Sequence, residues 1–293
     1  IFEEYAYYLV SEARQKCANH IFKLGGNVYA FDSTTIDLCL SVFWWAKFRK
    51  KKGGIKVHTL YDVETQIPAF FHITEASVHD SKVMIEIPYE PSSYYIFDRG
   101  YNNFKMLYKI HQIEVYFVVR AKKNLGYKSI QWKRRLPKNV LSDASVFLTG
   151  FYPKQYYPEP LRLVKYWDEE QEREFTFITN AMHISALQVA ELYKNRWQVE
   201  LFFKWLKQHL KIKRFWGTTE NAVRIQIYAA ICAYCLVAII QHDMQLDRST
   251  YEVLQILSIS LTDKTHLRDL FNKTKFQNDK ERFGPNGPRL FNF

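Results

Sequence analysis

Two aspartates follow apolar runs that have the composition of buried strands. Asp32 ends the run at residues 28–32 (VYAFD), and Asp98 ends the run at residues 94–98 (YYIFD). Carboxylates at the carboxyl ends of neighbouring strands meet at the edge of an α/β sheet where ligands bind. Aspartate also ends strands because it favours turns, and for either residue alone that ordinary role remains open. If the two strands are neighbours, the pair predicts a carboxylate cluster.

A third carboxylate, Glu200, lies in a segment with helical periodicity over residues 185–210. The segment opens with Ser185 and Gln188, which have the spacing of a capping box. At about 100° per residue, Glu200 shares one side of this helix with a tyrosine and several cations: Tyr193, Arg196, Lys204, Lys207 and Lys211. Ion pairs of Glu200 with its i±4 neighbours explain this pattern on a solvated helix. Because no other acid occurs before Glu220, the same face also suits phosphate binding.

Two aspartates and a glutamate are the hard oxygen donors that Mg²⁺ prefers. Two such ions about 3.5–4 Å apart activate an attacking hydroxyl group and stabilise the leaving oxygen of a phosphodiester. The chain of 293 residues has 41 lysines and arginines against 30 aspartates and glutamates, a formal charge of +11. A polyanion is a natural partner for that charge. Residue types and charge together predict phosphodiester chemistry on nucleic acid.

The helical segment carries a recognisable motif. Its spacing Tyr193-x2-Arg196-x3-Glu200-x6-Lys207 resembles the Y-R-E-K box of bacterial insertion-sequence DDE transposases, in the branch that moves by cut and paste through a hairpin intermediate. Residues 98–101 (DRGY) are similar to that family's second catalytic aspartate, and residues 31–34 (FDST) more loosely resemble the first. The resemblance extends over residues 27–241.

This resemblance implies a fold and a site. The fold is α/β, an RNase H-like mixed sheet flanked by helices, with an inserted mainly β subdomain and C-terminal helices. The resemblance implies two catalytic Mg²⁺ ions, which Mn²⁺ can replace, with Asp32, Asp98 and Glu200 as their ligands. The partners are double-stranded DNA at transposon ends and target and, in the active complex, a second copy of the chain. The expected DNA contacts are Tyr193, Arg196, Lys207, Lys204, Lys211 and Arg99.

The resemblance also suggests a role for an aromatic side chain ahead of the Y-R-E-K helix. In that branch of the family this side chain helps to hold a flipped base during hairpin formation. The matching strand here offers Phe175 and Phe177.

Changes in residue pattern along the chain predict its organisation. Extended runs at residues 28–32, 36–43, 55–63 and 68–76 predict antiparallel strands, and the alternation that follows predicts parallel ones. The expected divisions are a helical lead-in, a first core part, an inserted β-rich subdomain, a second core part and C-terminal helices with a loose tail: residues 1–26, 27–120, 121–174, 175–242 and 243–293. Residues 1–26 are too short for the family's end-recognition domain, so we expect that domain to be missing.

Several smaller features have an ordinary and a functional interpretation. The basic segments 47–54 and 120–138 either contact DNA or are solvated loops. Cys232 and Cys235 have metal-ligand spacing but lie in the apolar run 227–240, which favours core packing. That run of 14 residues is too short to span a bilayer, and the few scattered cysteines favour a cytoplasmic setting. Asp80 is expected to cap a short helix.

Two other functions compete with a transposase. One is a different RNase H-like enzyme, such as a structure-selective nuclease or a junction resolvase. The other is a truncated remnant that binds DNA without catalysis. A transposase joins a 3′ end to a second DNA, whereas a nuclease only cuts.

Overall fold

The computed structural model describes residues 1–18, 22, 24–49, 52–209, 215–248, 250–260 and 264–273. Its helices are α1 (Phe2–Lys16), α2 (Phe104–Gln112), α3 (Phe151–Tyr156), α4 (Ala186–Lys194), α5 (Trp197–His209), α6 (Glu220–Asp243), α7 (Thr250–Ile259) and α8 (Leu267–Lys273). Its strands are β1 (Val28–Leu38), β2 (Lys47–Arg49), β3 (Lys52–Asp62), β4 (Ile67–Glu75), β5 (Tyr94–Phe97), β6 (Tyr116–Arg120), β7 (Tyr127–Trp132), β8 (Val140–Leu148), β9 (Leu161–Asp168) and β10 (Arg173–Thr179). Two 3-10 helices cover Asp80–Glu86 and Arg99–Tyr101.

All ten strands belong to one mixed sheet. Its order is β2-β3-β1-β5-β6-β10-β9-β8-β7, and β4 also pairs with β3. Strand β3 runs antiparallel to both of its neighbours, β1 and β4, and β1, β5 and β6 are parallel. This is the expected arrangement, an antiparallel meander followed by parallel strands with helical connections. The α/β, RNase H-like fold predicted from the sequence is confirmed.

The first strand is longer than predicted. β1 runs without interruption from Val28 to Leu38, whereas the sequence analysis ended one strand at residue 32 and began another at residue 36. The ladder with β3 continues through the gap, from Asp32 opposite Thr59 to Leu38 opposite Gly53. The segment 33–35 (STT) has turn-like polarity, but threonine is also a good strand former. Asp32 therefore lies inside a strand and not at its end.

The principal core contains the buried aromatic residues of the parallel strands and their neighbours. It includes the fully buried rings of Tyr29, Phe31, Tyr95, Phe97 and Phe117. All four residues of β5 are buried, as expected for a strand whose two faces are both covered. This buried centre of the sheet carries both Asp32, within β1, and Asp98, directly after β5.

The helix predicted over residues 185–210 is two helices. The capping box of Ser185 and Gln188 is confirmed, but α4 ends at Lys194 and α5 begins at Trp197. At the break, Asn195 Nδ2 donates 2.8 Å to the Glu191 carbonyl. The Asn195 amide N–H donates to the same carbonyl at the longer distance of 3.2 Å, so the side chain shares this acceptor with the last regular backbone bond. A continuous helix, assumed in placing Tyr193 and Glu200 on one face, was therefore wrong.

Strands β7, β8 and β9 lie within residues 121–174 and extend the sheet beyond β10. The domain divisions predicted from the sequence remain predictions. By contacts the chain separates into two units, residues 1–236 and 237–293. The second unit has a small core that includes Val237, Val253, Ile256 and Phe271. The predicted loose tail after residue 273 lies outside the described residues.

Helix α6 contains the apolar run at residues 227–240. Among the described residues, α6 is the one helix long and apolar enough to cross a membrane by length and composition alone, and half of its most apolar window is buried within the structure. Cys232 and Cys235 are both buried and free on this helix. Their burial agrees with the predicted core role.

Candidate active site

The parallel pairing of β1 with β5 brings Asp32 and Asp98 side by side. Phe31 and Phe97 are the last partners in this ladder, and each is followed by one of the aspartates. Both carboxylates were predicted to lie at strand ends. Asp98 does follow the end of β5, whereas β1 continues for six residues beyond Asp32. The two residues converge because they occupy the same register in adjacent strands.

Arg196 connects the first aspartate to the glutamate of the helix. Its Nη1 donates 2.7 Å to Oδ2 of Asp32, and its Nη2 donates to Oε1 of Glu200. The Arg196 side chain is only 16% exposed, whereas Glu200 is 54% exposed. The break between α4 and α5 therefore places a largely buried guanidinium between carboxylates that are 168 positions apart in the chain. Arg196 was predicted as a phosphate contact, and here it contacts two acids.

Tyr193 makes the corresponding contact to the second aspartate. Its hydroxyl donates 3.1 Å to Oδ1 of Asp98. The Tyr193 ring packs 4.7 Å from the ring of Phe177 and 5.9 Å from that of Phe175. These contacts fix the tyrosine on the strand β10 below it. Each of the three acids predicted to act together thus accepts a hydrogen bond from a residue of the same sequence box.

A cleft of about 480 Å³ opens beside these acids, between β1 and α5. Asp32 and Glu200 line it, together with Lys204 and Lys207. Lys204 is exposed, and Nζ of Lys207 donates 2.9 Å to the Thr35 carbonyl. Lys211, the remaining cation of the predicted phosphate face, lies outside the described residues. The cleft therefore combines two carboxylates with two cations.

The electrostatic environment of Asp32 is unusual for a carboxylate. Burial raises the pKa of Asp32 to about 6, and the Arg196 guanidinium and the Ser33 amide act in the opposite direction. The charges of Glu200 and Asp98 raise the same pKa further. A raised pKa of this kind is typical of a carboxyl group withdrawn from water, and here the two neighbouring acids add a smaller contribution. Additional positive charge at this site would relieve the repulsion.

The donor set suits a divalent ion of the Mg²⁺ type, because all three acids offer hard oxygen ligands. The guanidinium of Arg196 stands where cationic charge is needed, between Asp32 and Glu200. Within the described part of the chain, no three histidine, cysteine or carboxylate side chains are grouped closely enough to hold one ion together. The three carboxylates are thus the right kind of ligand for a divalent ion. In this conformation Arg196 is hydrogen-bonded to oxygens of Asp32 and Glu200 that an ion would need.

Comparison with known proteins decides the family. The family model described as "Transposase DDE domain" matches residues 23–236. The chain belongs to this DDE transposase family. The match covers every strand of the sheet and all three candidate acids.

Individual relatives of this DDE transposase domain agree. It is 36% identical over 246 residues to the inferred transposase y4zB of Sinorhizobium fredii, covering 82% of this chain and 67% of that protein. It is 31% identical over 205 residues to an inferred transposase of insertion sequence element IS5377 from Geobacillus stearothermophilus, covering 70% and 54%. It is 25% identical over 250 residues to an inferred transposase of insertion sequence element IS4SA from Synechocystis, covering 81% and 67%. The chain thus spans between about half and two thirds of the length of these relatives.

A second cleft of the DDE transposase domain, of about 180 Å³, lies on the Asp98 side of the sheet. Five cations line it: Arg99, Arg120, Lys122, Lys123 and Lys165. Its one lining acid, Glu174, lies 3.6 Å from Lys165. Arg99 directly follows Asp98, so this basic surface begins beside the second aspartate. The sequence analysis identified Arg99 and the basic segment 120–138 but missed Lys165, because β9 gives no signal in its spacing.

The phenylalanines considered for base stacking are not available on this surface. Phe175 and Phe177 are 5% and 2% exposed. The guanidinium groups of Arg120 and Arg173 lie 4.9 Å and 4.4 Å from the centre of the Phe175 ring. Both rings also stack on each other. In this conformation they support Tyr193 and leave no free face for a base.

Asp80 does not cap the short helix as predicted. The N-cap of the 3-10 helix is His79, whose Nδ1 accepts from the Ser81 amide, and Asp80 is the first residue inside the helix. The Asp80 carboxylate instead accepts a hydrogen bond from Ser33, the residue after Asp32. The prediction of Asp80 as a cap was wrong because its side chain finds a stronger tertiary partner 47 positions away.

Proposed function

We propose that this domain cleaves DNA strands at transposon ends and transfers the resulting 3′ ends into target DNA, with divalent metal ions as cofactors. The observation that carries the proposal is the bridge from Arg196 to Asp32 and Glu200. It gathers acids from β1 and α5 beside Asp98, inside a domain of the DDE transposase family. Catalysis of this kind needs acids from distant segments at one point.

Asp32, Asp98 and Glu200 would hold two Mg²⁺ ions, or Mn²⁺ in their place. Such ions, when bound, polarise the phosphodiester and stabilise the attacking and leaving oxygens. Tyr193 keeps Asp98 oriented through its hydroxyl group. With ions bound to these carboxylates, the Arg196 guanidinium would be free to contact a DNA phosphate, for which its fork of donors is suited.

The cations around the acids orient the DNA. Lys204 and Lys207 line the cleft on one side of the acids. Arg99 and the basic cleft lie on the other side. A strand that crosses the three acids would have its phosphates neutralised on both sides of the scissile bond. Such contacts position a strand without reading its sequence.

The reaction has two kinds of step. Hydrolysis breaks the bond between the 3′ oxygen and phosphorus, water supplies the new phosphate oxygen, and the 3′ oxygen leaves as a hydroxyl group. That hydroxyl then attacks a second phosphodiester, whose own 3′ oxygen departs with a proton. In the cut-and-paste branch carrying the Y-R-E-K box, the first such attack is on the opposite strand and forms a hairpin. Reopening the hairpin frees the end for transfer.

We further propose that the partners are double-stranded DNA at the transposon ends and in the target. The active complex contains two copies of the chain, and the protein works in the cytoplasm on chromosomal DNA. The net charge of +11 supports a polyanionic partner.

A joining assay separates this proposal from a nuclease. The substrate is a labelled duplex carrying the element's terminal inverted repeat, taken from the DNA that flanks the gene, with a supercoiled plasmid as target and Mg²⁺ present. We expect cleavage at the end of the repeat and transfer of label to the plasmid. A second substrate is already cut and carries a free 3′ hydroxyl. Cleavage of the intact duplex, with no transfer of label from either substrate, would support an RNase H-like nuclease or resolvase. DNA binding without cleavage would indicate an inactive remnant.

A further inference from the structure

A polar cluster lies on the far side of β1 from Arg196 and Glu200. Successive residues of a strand point to opposite faces, so Ser33 points away from the face on which Asp32 meets Arg196. Oγ of Ser33 donates 2.8 Å to Oδ1 of Asp80 at the start of the 3-10 helix. Asp80 is not one of the three acids and belongs to none of the motifs described above.

Ser33 connects this cluster to Asp32 through the backbone. The Ser33 amide donates 2.8 Å to Oδ1 of Asp32, while its hydroxyl is held by Asp80. Besides the ladder with β3, the contact with Asp80 therefore helps to hold the peptide between residues 32 and 33. Since Oδ2 of Asp32 accepts from Arg196, the Ser33 amide is the fixed partner that remains when Arg196 turns to DNA.

Asp80 is itself held by the neighbouring strand β3. Nζ of Lys56 lies 3.0 Å from the same Asp80 oxygen and also donates 2.8 Å to the Val78 carbonyl. Nδ1 of His58 lies 3.9 Å from Asp80. His58 is the cross-strand partner of Ser33, and Lys56 is the partner of Thr35. The register of β1 with β3 thus assembles the whole cluster.

The contacts favour an ionised Asp80. Burial opposes its charge, but the hydrogen bond from Ser33 and the Lys56 ammonium group outweigh burial and lower the pKa of Asp80. A charged acceptor holds the Ser33 hydroxyl more strongly than a neutral one. A carboxylate behind a ligand residue is a recurring way to fix the direction of that ligand.

We propose that Asp80 is a positioning residue that, through Ser33, fixes the direction in which Asp32 presents its carboxylate to a divalent ion. This inference rests on the proposed function of Asp32 as a metal ligand. Residues behind a metal ligand contribute about 10- to 100-fold to metal affinity or activity. Asp80 and Ser33 are expected to contribute on that scale.

The test compares Mn²⁺ affinity, measured by electron paramagnetic resonance of the free ion, with the rate of DNA cleavage. Asp80→Asn and Ser33→Ala should each weaken Mn²⁺ binding and slow cleavage by about 10- to 100-fold. Ser33→Thr, which keeps the hydroxyl, should restore both. The matched control is His79→Ala, which removes the cap of the same 3-10 helix and leaves the contact between Ser33 and Asp80. All variants should bind DNA equally in the absence of divalent ions.

The outcomes are separable. If Asp80→Asn and Ser33→Ala bind Mn²⁺ as tightly as the unmodified protein, while Asp32→Asn does not, the positioning role is wrong and the metal site stands. If His79→Ala loses as much affinity as Asp80→Asn, the cluster merely supports the fold and the positioning role is also wrong. If Asp32→Asn itself leaves Mn²⁺ binding unchanged, Asp32 is not a metal ligand, and the proposed function of the acids is wrong.

Discussion

Nη1 of Arg196 lies 2.7 Å from Oδ2 of Asp32, although the two residues are 164 positions apart. The side chain of Asp32 is 22% exposed and that of Arg196 is 16% exposed, so the pair is largely shielded from water. A guanidinium and a divalent ion compete for the lone pairs of the same carboxylate oxygen, and their like charges repel each other. The contact therefore opposes ion binding at Asp32 and, by the proposed function, is exchanged for a phosphate when DNA binds.

The first prediction concerns this competition. Arg196→Gln should bind Mn²⁺ at least as tightly as the unmodified protein, because the competing cation and its repulsion are removed. The same variant should bind DNA more weakly, and its plot of log affinity against log salt should become less steep by about 0.9 for the lost phosphate contact. Metal titration and fluorescence anisotropy measure the two effects. Weaker Mn²⁺ binding with unchanged DNA affinity would show that Arg196 serves only to hold the acids.

The second prediction concerns Tyr193. Tyr193→Phe removes the hydroxyl that donates to Asp98 and keeps the ring that packs on Phe177. We expect cleavage to slow by about tenfold, since the carboxylate loses a fixed partner, with a loss of folding free energy of no more than about 3 kcal/mol, as for a hydrogen bond to a charged group. Single-turnover kinetics and denaturant unfolding provide the two values. An unchanged cleavage rate at every Mg²⁺ concentration would contradict a positioning role of the hydroxyl.

Much of the fold was predictable because its signals are local. The apolar runs of β5 and β6 and the capping box of Ser185 identify elements without reference to the rest of the chain. The continuity of β1 and the break between α4 and α5 depend instead on distant pairing with β3 and on a side chain at Asn195 that takes a backbone carbonyl. Neither has a signal within a short window of sequence.

The candidate site was likewise predictable only in those features that have a local signal in the sequence. The types and spacing of Asp32, Asp98 and Glu200 predicted three converging acids, and the structure brings them into one neighbourhood. Spacing alone could not show that Arg196 contacts acids in this conformation. Nor could it identify Asp80, whose partner lies on another strand. Such roles depend on tertiary contacts, which a single sequence does not specify.

The third prediction concerns the second cleft. Replacing both Lys122 and Lys123 by glutamate should weaken DNA binding and reduce the salt slope by about two, because both cations are exposed in a cleft with few acids. The control replaces Lys105 and Lys109, two exposed lysines of α2, in the same way and gives the same net charge. Equal loss in the two double variants would mean that only overall charge matters.

The fourth prediction concerns pH and His58, which is fully buried. Burial lowers the pKa of His58 to about 4, with the Lys56 and His72 charges acting in the same direction against Asp80. The unfolded chain takes up the proton near pH 6.5, so stability is full above that pH and falls as the pH drops towards 4. The loss attributable to His58 is about 3 kcal/mol. Denaturant unfolding at pH 7.5 and 4.5 should show that His58→Gln loses less free energy of unfolding between these pH values than the unmodified protein does.

The control for this pH effect is His72→Gln, since His72 is the cross-strand partner of His58 on β4. That variant should lose nearly as much stability between pH 7.5 and 4.5 as the unmodified protein does, because the His72 charge makes the smallest contribution to the lowered pKa of His58. The same pH dependence in His58→Gln as in the unmodified protein would show that other groups cause it.

The fifth prediction concerns a buried ion pair in the inserted region. Arg162 makes a bidentate contact with Asp143 at 2.7 Å and 2.8 Å, and both side chains are less than 5% exposed. Arg162→Met should lower the free energy of unfolding by about 3–5 kcal/mol, because it leaves a buried carboxylate without this partner. Arg162→Met combined with Asp143→Leu should recover part of that loss. The Asp143 carboxylate keeps a 3.1 Å contact with the more exposed Lys133. If the double variant is no more stable than Arg162→Met alone, the loss of the buried partner is not the cause.

Catalysis by the three acids is tested most directly by replacing each one with its amide: Asp32→Asn, Asp98→Asn and Glu200→Gln. With Mg²⁺ and a duplex carrying the transposon end, each variant should cleave at least about a hundredfold more slowly, since several kcal/mol of transition-state stabilisation is lost. Affinity for the same duplex without divalent ions should stay within about twofold, because none of the three acids is proposed to contact phosphate directly. Cleavage by any one of these variants at the rate of the unmodified protein would contradict the assignment.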